Sequence, residues 1–324
     1  MSQATEMTDA ETPKLIDVKD FDLTTLKSYT GPALLSRLHH ISSSTFVPLS
    51  LRSEALKLLR DALKDTLNTD MYRKTFTEGD EEVRKMAGGQ IDEEWLDSTS
   101  KTSSTSLSHL DANLQHSKTT LQKPLILSSY RSIASHHLLT GSLVDALKCY
   151  LRSRDFLPGA NEISQMCLDV VGVSVELKNF QHVMSYCNKA EHTNEFKKDD
   201  VTNGKISACK GLALLHQKNY SLAASAFTSL PPPFPYPTTL TPSTIALYSS
   251  VLSLATSPPS TLKSLLQNPT YKTYLYGHPL LQTLLESYTL SNYTLTLQTF
   301  TQLLPQLHLD VHLGPHKLVK LFLN

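Results

Sequence analysis

Three stretches of this chain read as the same pair of helices, and no other feature limits the possible folds as strongly. The clearest copy is Tyr130–Pro158, YRSIASHHLLTGSLVDALKCYLRSRDFLP. Gly141 sits in the turn, Leu143 opens the second helix, Ala146 is a small contact residue, Tyr150 is a large one, and Pro158 ends the unit. In the second copy Asn179, Phe180, Val183 and Cys187 stand at the matching places, with Ala190 one turn later. In the third they are Asn219, Tyr220, Ala223 and Phe227, with Gly211 at the small position of the first helix. The interval from Leu143 to Phe180 is 37 residues and from Phe180 to Tyr220 it is 40. A strict tetratricopeptide repeat runs at about 34. A single helix pair cannot bury its own apolar face, whereas stacking on the next pair does so and leaves a concave surface able to hold another protein. These are degenerate, lengthened pairs, expected to stack as a short right-handed solenoid.

The rest of the chain agrees with an all-α fold. Only 11 glycines occur in 324 residues, which disfavours Gly-rich phosphate loops and numerous tight hairpins, and strand-like alternation is hard to find. Basic and acidic residues balance at 30 each, so a broad basic face for nucleic acid is not suggested. No run of about 18 apolar residues predicts a membrane span. The polar, acidic start MSQATEMTDAETPKLIDVKD lacks the basic and apolar regions of a secretory signal. Cys149, Cys167, Cys187 and Cys209 form no CxxC pair and read as small buried hydrophobes in a reducing compartment.

In chain order, residues 1–20 are expected to be disordered. An N-terminal helical region follows over 21–123, with helical repeats over 124–230, a Pro-rich linker over 231–243 and further helices over 244–324. Pro32 suits a helix start, and Ser53 is the candidate N-cap of a helix to Leu67. Met71–Met86 reads as one charged helix that Gly88-Gly89 stops. Ile91–Gln122 reads as one long helix with a narrow apolar stripe, and its Ser/Thr-rich part, Ser98–Ser108, is a possible break. Pro231–Pro237 cannot continue a helix and reads as a bent linker rather than a polyproline ligand. Helices resume as Thr244–Ala255, Ser260–Gln267, Tyr271–Tyr276, Pro279–Leu290 and Tyr293–Leu304, where charge falls sharply. A last helix is expected over Asp310–Leu323, its apolar terminus giving the domain a cut-short look.

No motif carries chemistry. Gly88-Gly89-Gln90 matches the tripeptide of peptide-release factors, but its charged, non-basic surroundings favour a helix break. His312 and His316 are spaced for one metal ion, yet Gly314-Pro315 intervenes and no third ligand completes a site. His39-His40 and His136-His137 point to different helix faces. Asn219-Tyr-Ser and Asn292-Tyr-Thr fit glycosylation acceptors without a secretory route. GxxxxGK[ST], GxSxG and HExxH are absent. No catalytic, cofactor-binding or metal-ligating residue is assigned, and the chain is expected not to be an enzyme.

The runs GSLVDALKCYLRSRDF (Gly141–Phe156) and MCLDVVGVSVELKNFQHVMSYCNKAE (Met166–Glu191) resemble subunit 1 of the COP9 signalosome. SYTGPALLSRLHHI (Ser28–Ile41), EALKLLRDALKDT (Glu54–Thr66), WLDSTSK (Trp95–Lys101) and LLPQLHLDVHLGPHKLVKL (Leu303–Leu321) match in the same order. The sister family, a helical lid subunit of the 26S proteasome, shares the repeat region, and the SYTG segment favours the signalosome. The resemblance implies a helical-repeat arm followed by a PCI domain, here expected to stop before its winged helix. It further implies a scaffold in the nucleus and cytoplasm, working with other signalosome subunits on cullin-RING ligases to remove Nedd8, the metal-dependent peptidase being a different subunit. An RNA-associated PCI scaffold is the alternative that the neutral charge weighs against.

Overall fold

In the computed structural model, residues 23–192 and 199–314 are described. Among them every regular element is helical. A 3-10 turn, Leu23–Ser28, leads into α1 (Pro32–Ser43), α2 (Leu49–Lys64), α3 (Thr69–Thr77), α4 (Glu81–Ala87) and the long α5 (Glu93–Thr119). The three predicted pairs are α6 (Lys123–Leu139) with α7 (Leu143–Ser153), α8 (Ala160–Glu176) with α9 (Phe180–Glu191), and α10 (Asp200–His216) with α11 (Tyr220–Thr228). Then come α12 (Pro242–Thr256), α13 (Pro259–Gln267), α14 (Pro269–Leu275), α15 (Pro279–Thr289) and α16 (Tyr293–Leu309). Each helix from α5 to α12 packs on the next, as a solenoid requires.

The pairs share one turn. Leu121, Gly141, Lys178, Lys218 and Ser291 all have positive φ, between 54° and 78°. Each donates its N–H back to a carbonyl three residues earlier, and the next residue donates to one five earlier, as in Gly141 N to Leu138 O (3.2 Å) and Ser142 N to His137 O (2.9 Å). This pair of hydrogen bonds satisfies carbonyls that the helix end leaves open. The next helix starts within two residues, which forces the pair antiparallel. Only one of the five positions is glycine; a left-handed conformation costs the other four about 1 kcal/mol or more each.

At the crossings Ala146, Val183, Cys187 and Ala223 are wholly inaccessible, and Tyr150 and Phe227 are buried beside them. Gly211 on α10 meets the Phe227 ring so closely that a Cβ would lie 3.0 Å from it. A fourth pair escaped the sequence reading. α15 and α16 turn at Ser291, and Asn292, Tyr293, Thr296 and Phe300 repeat the spacing of Asn219, Tyr220, Ala223 and Phe227, with Thr296 and Phe300 buried. A hydroxyl at the small position hid the match; Thr296 Oγ1 is hydrogen-bonded to Ser287 Oγ and to Asn292 O, both at 2.9 Å.

Several boundaries differ from expectation. Met71–Met86 is two helices, because Gly79 (φ 87°) turns the chain and Asp80 caps α4 by accepting from Glu82 N (3.2 Å). α2 begins at Leu49 after Pro48, so Ser53 is an interior residue whose hydroxyl donates to Ser50 O (2.7 Å), not a cap. α5 runs unbroken through its Ser/Thr tract. Ser98, Thr102, Thr105 and Ser108 donate to carbonyls three or four residues back, so their hydroxyls are satisfied along the helix itself. α16 continues past Pro305 to Leu309. The helix expected over Asp310–Leu323 is a turn at Asp310–Gly314, and the remainder lies outside the described residues, as does the expected disorder of 1–20.

Two apolar clusters result. One joins Leu23 through Leu96 with Leu309 of α16, and the other runs from Leu114 to Leu313. α12 is the axis of the second. It is buried on every face from Thr244 to Leu254, which explains why its sequence carries no charge. Its serines are satisfied internally, Ser250 Oγ lying 2.9 Å from Tyr271 Oη. The Pro-rich stretch before it is a packed strap. Phe234 is 3% exposed and lies where a Cβ on Gly204 of α10 would come within 2.5 Å.

Replacing Ala146 by arginine is expected to cost about 4 kcal/mol, since a long cation enters a filled helix crossing. An unchanged thermal midpoint would remove Ala146 from that crossing. Gly141→Ala combines a left-handed φ with a Cβ 2.2 Å from Asn68 Nδ2 and is expected to lose about 2 kcal/mol in urea unfolding.

Candidate functional site

In a stack of helix pairs the features that can hold a partner are the joints and the open faces. The first joint ties the N-terminal helices to the repeats. Leu67 N donates to Leu139 O (3.1 Å), and Asn68, which caps α3 through Met71 N (3.0 Å), sits over Gly141. A cleft of 570 Å³ opens beside this joint, bounded by His39, Lys74, Asp80, Arg84 and the α6–α7 turn.

The second joint is centred on Arg37 of α1, which is 4% exposed. Its guanidinium lies 3.8 Å above the Tyr29 ring and donates to Ala33 O and Thr239 O, both at 3.1 Å. Burial opposes its charge, but Tyr29, Tyr248, Asp310 and Glu176 outweigh that penalty and raise its pKa. Tyr248 on α12 donates to Asp310 Oδ1 (2.7 Å), which also accepts from His312 N and Leu313 N. Tyr29 is hydrogen-bonded to Thr244, and Thr30 N donates to Pro237 O (3.1 Å). The start of the described chain, the strap, α12 and the turn after α16 therefore meet at one buried cation.

Between the strap and α8 lies a groove of 380 Å³. Leu138, Leu143 and Tyr150 form one side, and Pro235–Thr238 the other. Asp169 and Glu176, two turns apart on α8, line its floor on either side of Gly172. Burial pushes both carboxyls above the ordinary range. The Gln165 hydrogen bond and Arg131 offset part of this at Asp169, as do Arg37 and Ser36 at Glu176. Tyr150 is pushed up to about 12 by the same desolvation.

The motifs weighed in the sequence fall elsewhere. Gly88 (φ 66°) ends α4, its carbonyl accepting from Arg60, so Gly88-Gly89-Gln90 is a helix stop. His316 is outside the described residues. His312 instead meets His216, Nδ1 to Nε2 at 3.2 Å, under the stacked Phe180 ring. Among the described residues no group of three or more His, Cys, Asp or Glu could hold a metal ion. His136 is buried with Ser103 at 3.4 Å, while His137 is half-buried. Asn292 is a helix N-cap accepting from Leu295 N (3.3 Å), and Asn219 holds the same position. All four cysteines are buried and free, and burial lifts Cys209 to about 12. Among the described residues no helix is long and apolar enough to cross a membrane.

Residues 92–265, from the cap of α5 into α13, match the family described as 26S proteasome subunit RPN7. The chain belongs to this family. Relatives of this RPN7-family chain carry the signalosome name. COP9 signalosome complex subunit 1b of Drosophila melanogaster is 32% identical over 232 residues, which is 69% of this chain and 44% of the relative. COP9 signalosome complex subunit 1 of Arabidopsis thaliana is 29% identical over 291 residues, 89% of this chain and 65% of the relative. The Schizosaccharomyces pombe protein of that name is 24% identical over 265 residues, 82% and 61% respectively. The RPN7-family chain thus spans less than two thirds of the length of each of these relatives. The expected resemblance to signalosome subunit 1 and to a lid subunit holds on both counts.

The two groove carboxyls carry a signature of their own. Their pKa is higher folded than unfolded, so the folded state keeps protons that the unfolded chain releases as pH rises from the ordinary carboxylate range. They therefore lower stability at neutral pH and not at strongly acid pH. Asp169→Asn is expected to raise the thermal midpoint at pH 7, with the gain shrinking toward pH 4 in parallel melts. A lower midpoint at pH 7 would contradict this.

Proposed function

We propose that this chain is a non-catalytic scaffold of the COP9 signalosome. It holds other subunits through its helical surfaces and supports removal of Nedd8 from cullin-RING ligases in nucleus and cytoplasm. The observation that carries this reading is similarity to signalosome subunit 1 proteins, 89% of the chain in the Arabidopsis thaliana case, through both the repeats and the helices around them. The buried Arg37 joint supports it, because a scaffold must keep distant faces in fixed relation. A second reading, a helical lid subunit of the 26S proteasome, is favoured by the description of the matching family alone.

Affinity purification of the tagged chain from its own cells, with mass spectrometry of what accompanies it, separates the two. Signalosome subunits are expected, together with loss of cullin deneddylation when the chain is depleted. Lid subunits would establish the second reading, and RNA or initiation factors alone would overturn both.

A further inference from the structure

Gly172 has no reason within the chain to be glycine. A glycine inside a helix is disfavoured relative to alanine, because it loses more backbone freedom on folding. The other glycines inside the repeat helices are accounted for, Gly204 by Phe234 and Gly211 by Phe227. A Cβ on Gly172 would meet nothing within 4 Å, because it would project into open space. That space is the groove over α8, and Asp169 and Glu176 stand three residues before and four after, on the same helix face. Among the described residues neither carboxylate has a cation within salt-bridge distance. Asp169 accepts one neutral hydrogen bond, from Gln165 Nε2 at 2.9 Å. Lys205 on the rim is held over the Tyr236 ring at 5.5 Å.

We infer that the groove docks an extended segment of a partner protein, with its backbone over Gly172 and two basic side chains reaching Asp169 and Glu176. Seven helical residues separate the carboxylates by about 10 Å along the axis. A polyproline-II segment returns to the same face every three residues, about 9 Å apart. Cations at positions i and i+3 of such a segment therefore meet both carboxylates at once. A bare glycine floor lets the segment's backbone approach, and the apolar wall of Leu138, Leu143 and Tyr150 suits its proline rings. The inference concerns the groove alone and does not rest on which complex the chain joins.

The test uses the full chain and a fluorescein-labelled nine-residue peptide of prolines with lysine at every third position, beside the same peptide with glutamine for lysine. Fluorescence anisotropy is expected to show the lysine peptide binding at least about tenfold more tightly. Asp169→Asn and Glu176→Gln should each weaken it about tenfold and reduce its salt dependence. Gly172→Leu should abolish binding with helical circular dichroism intact, and Gly172→Ala, whose single methyl enters open space, should weaken it while preserving the fold. No binding of the lysine peptide, equal binding of both peptides, or wild-type affinity in the carboxyl variants would overturn the proposal. These outcomes are independent of which proteins copurify with the chain.

Discussion

The whole architecture depends on a turn that reverses the chain through one left-handed residue. At Leu121, Gly141, Lys178, Lys218 and Ser291 the same two hydrogen bonds close the ending helix, and the next helix begins almost at once. So short a connection leaves two helices no arrangement but antiparallel contact. At four of the five turns the close contact is met by a small or β-branched residue at the crossing, Ala146, Val183, Ala223 or Thr296. Each pair still has an apolar face it cannot cover, and that uncovered face is what draws the next pair onto it. The unfavourable φ at four non-glycine positions persists because packing on both sides over-determines the turn.

A solenoid alone is open-ended and only nearest neighbours touch. This chain departs from that by folding back. The Pro-rich strap crosses from α11 toward α1, pinned by Phe234 over Gly204, and hands the chain to α12, which is buried all round. Arg37 then links α1, the strap, α12 and the turn after α16 through hydrogen bonds, ring contact and charge. A buried cation is a costly way to gain stability but a selective one, since only one arrangement of its partners satisfies it. The result is a set of surfaces held at fixed separation.

The groove over α8 shows the opposite economy. Two carboxyls held above their ordinary pKa and a helix glycine without a packing partner all lower stability. Proteins carry such local costs where binding requires them. The RPN7 family relationship describes the helical frame on which this groove sits; the groove itself is a property of particular side chains on α8 and the strap.

By itself the sequence determined the class of fold and most of the helix pairs, because both are local. Small and large residues at Ala146/Tyr150 and Ala223/Phe227, with proline and glycine at helix ends, act over one or two turns and can be read along the chain. The fourth pair was missed for the same reason in reverse: Thr296 is small enough for the crossing, but its polarity masks the pattern until Ser287 is seen beside it. Local signals likewise misplaced the Ser53 cap and joined α3 to α4, where Pro48 and Gly79 decided the boundaries. What only the tertiary structure decided was long-range. The strap's role depends on Gly204, the Arg37 joint on Thr239 and Asp310, and the groove on α8 facing Pro235–Thr238. Those partners lie tens to hundreds of residues apart, and burial and charge at such contacts are fixed by where the packed chain brings them, not by their neighbours in sequence.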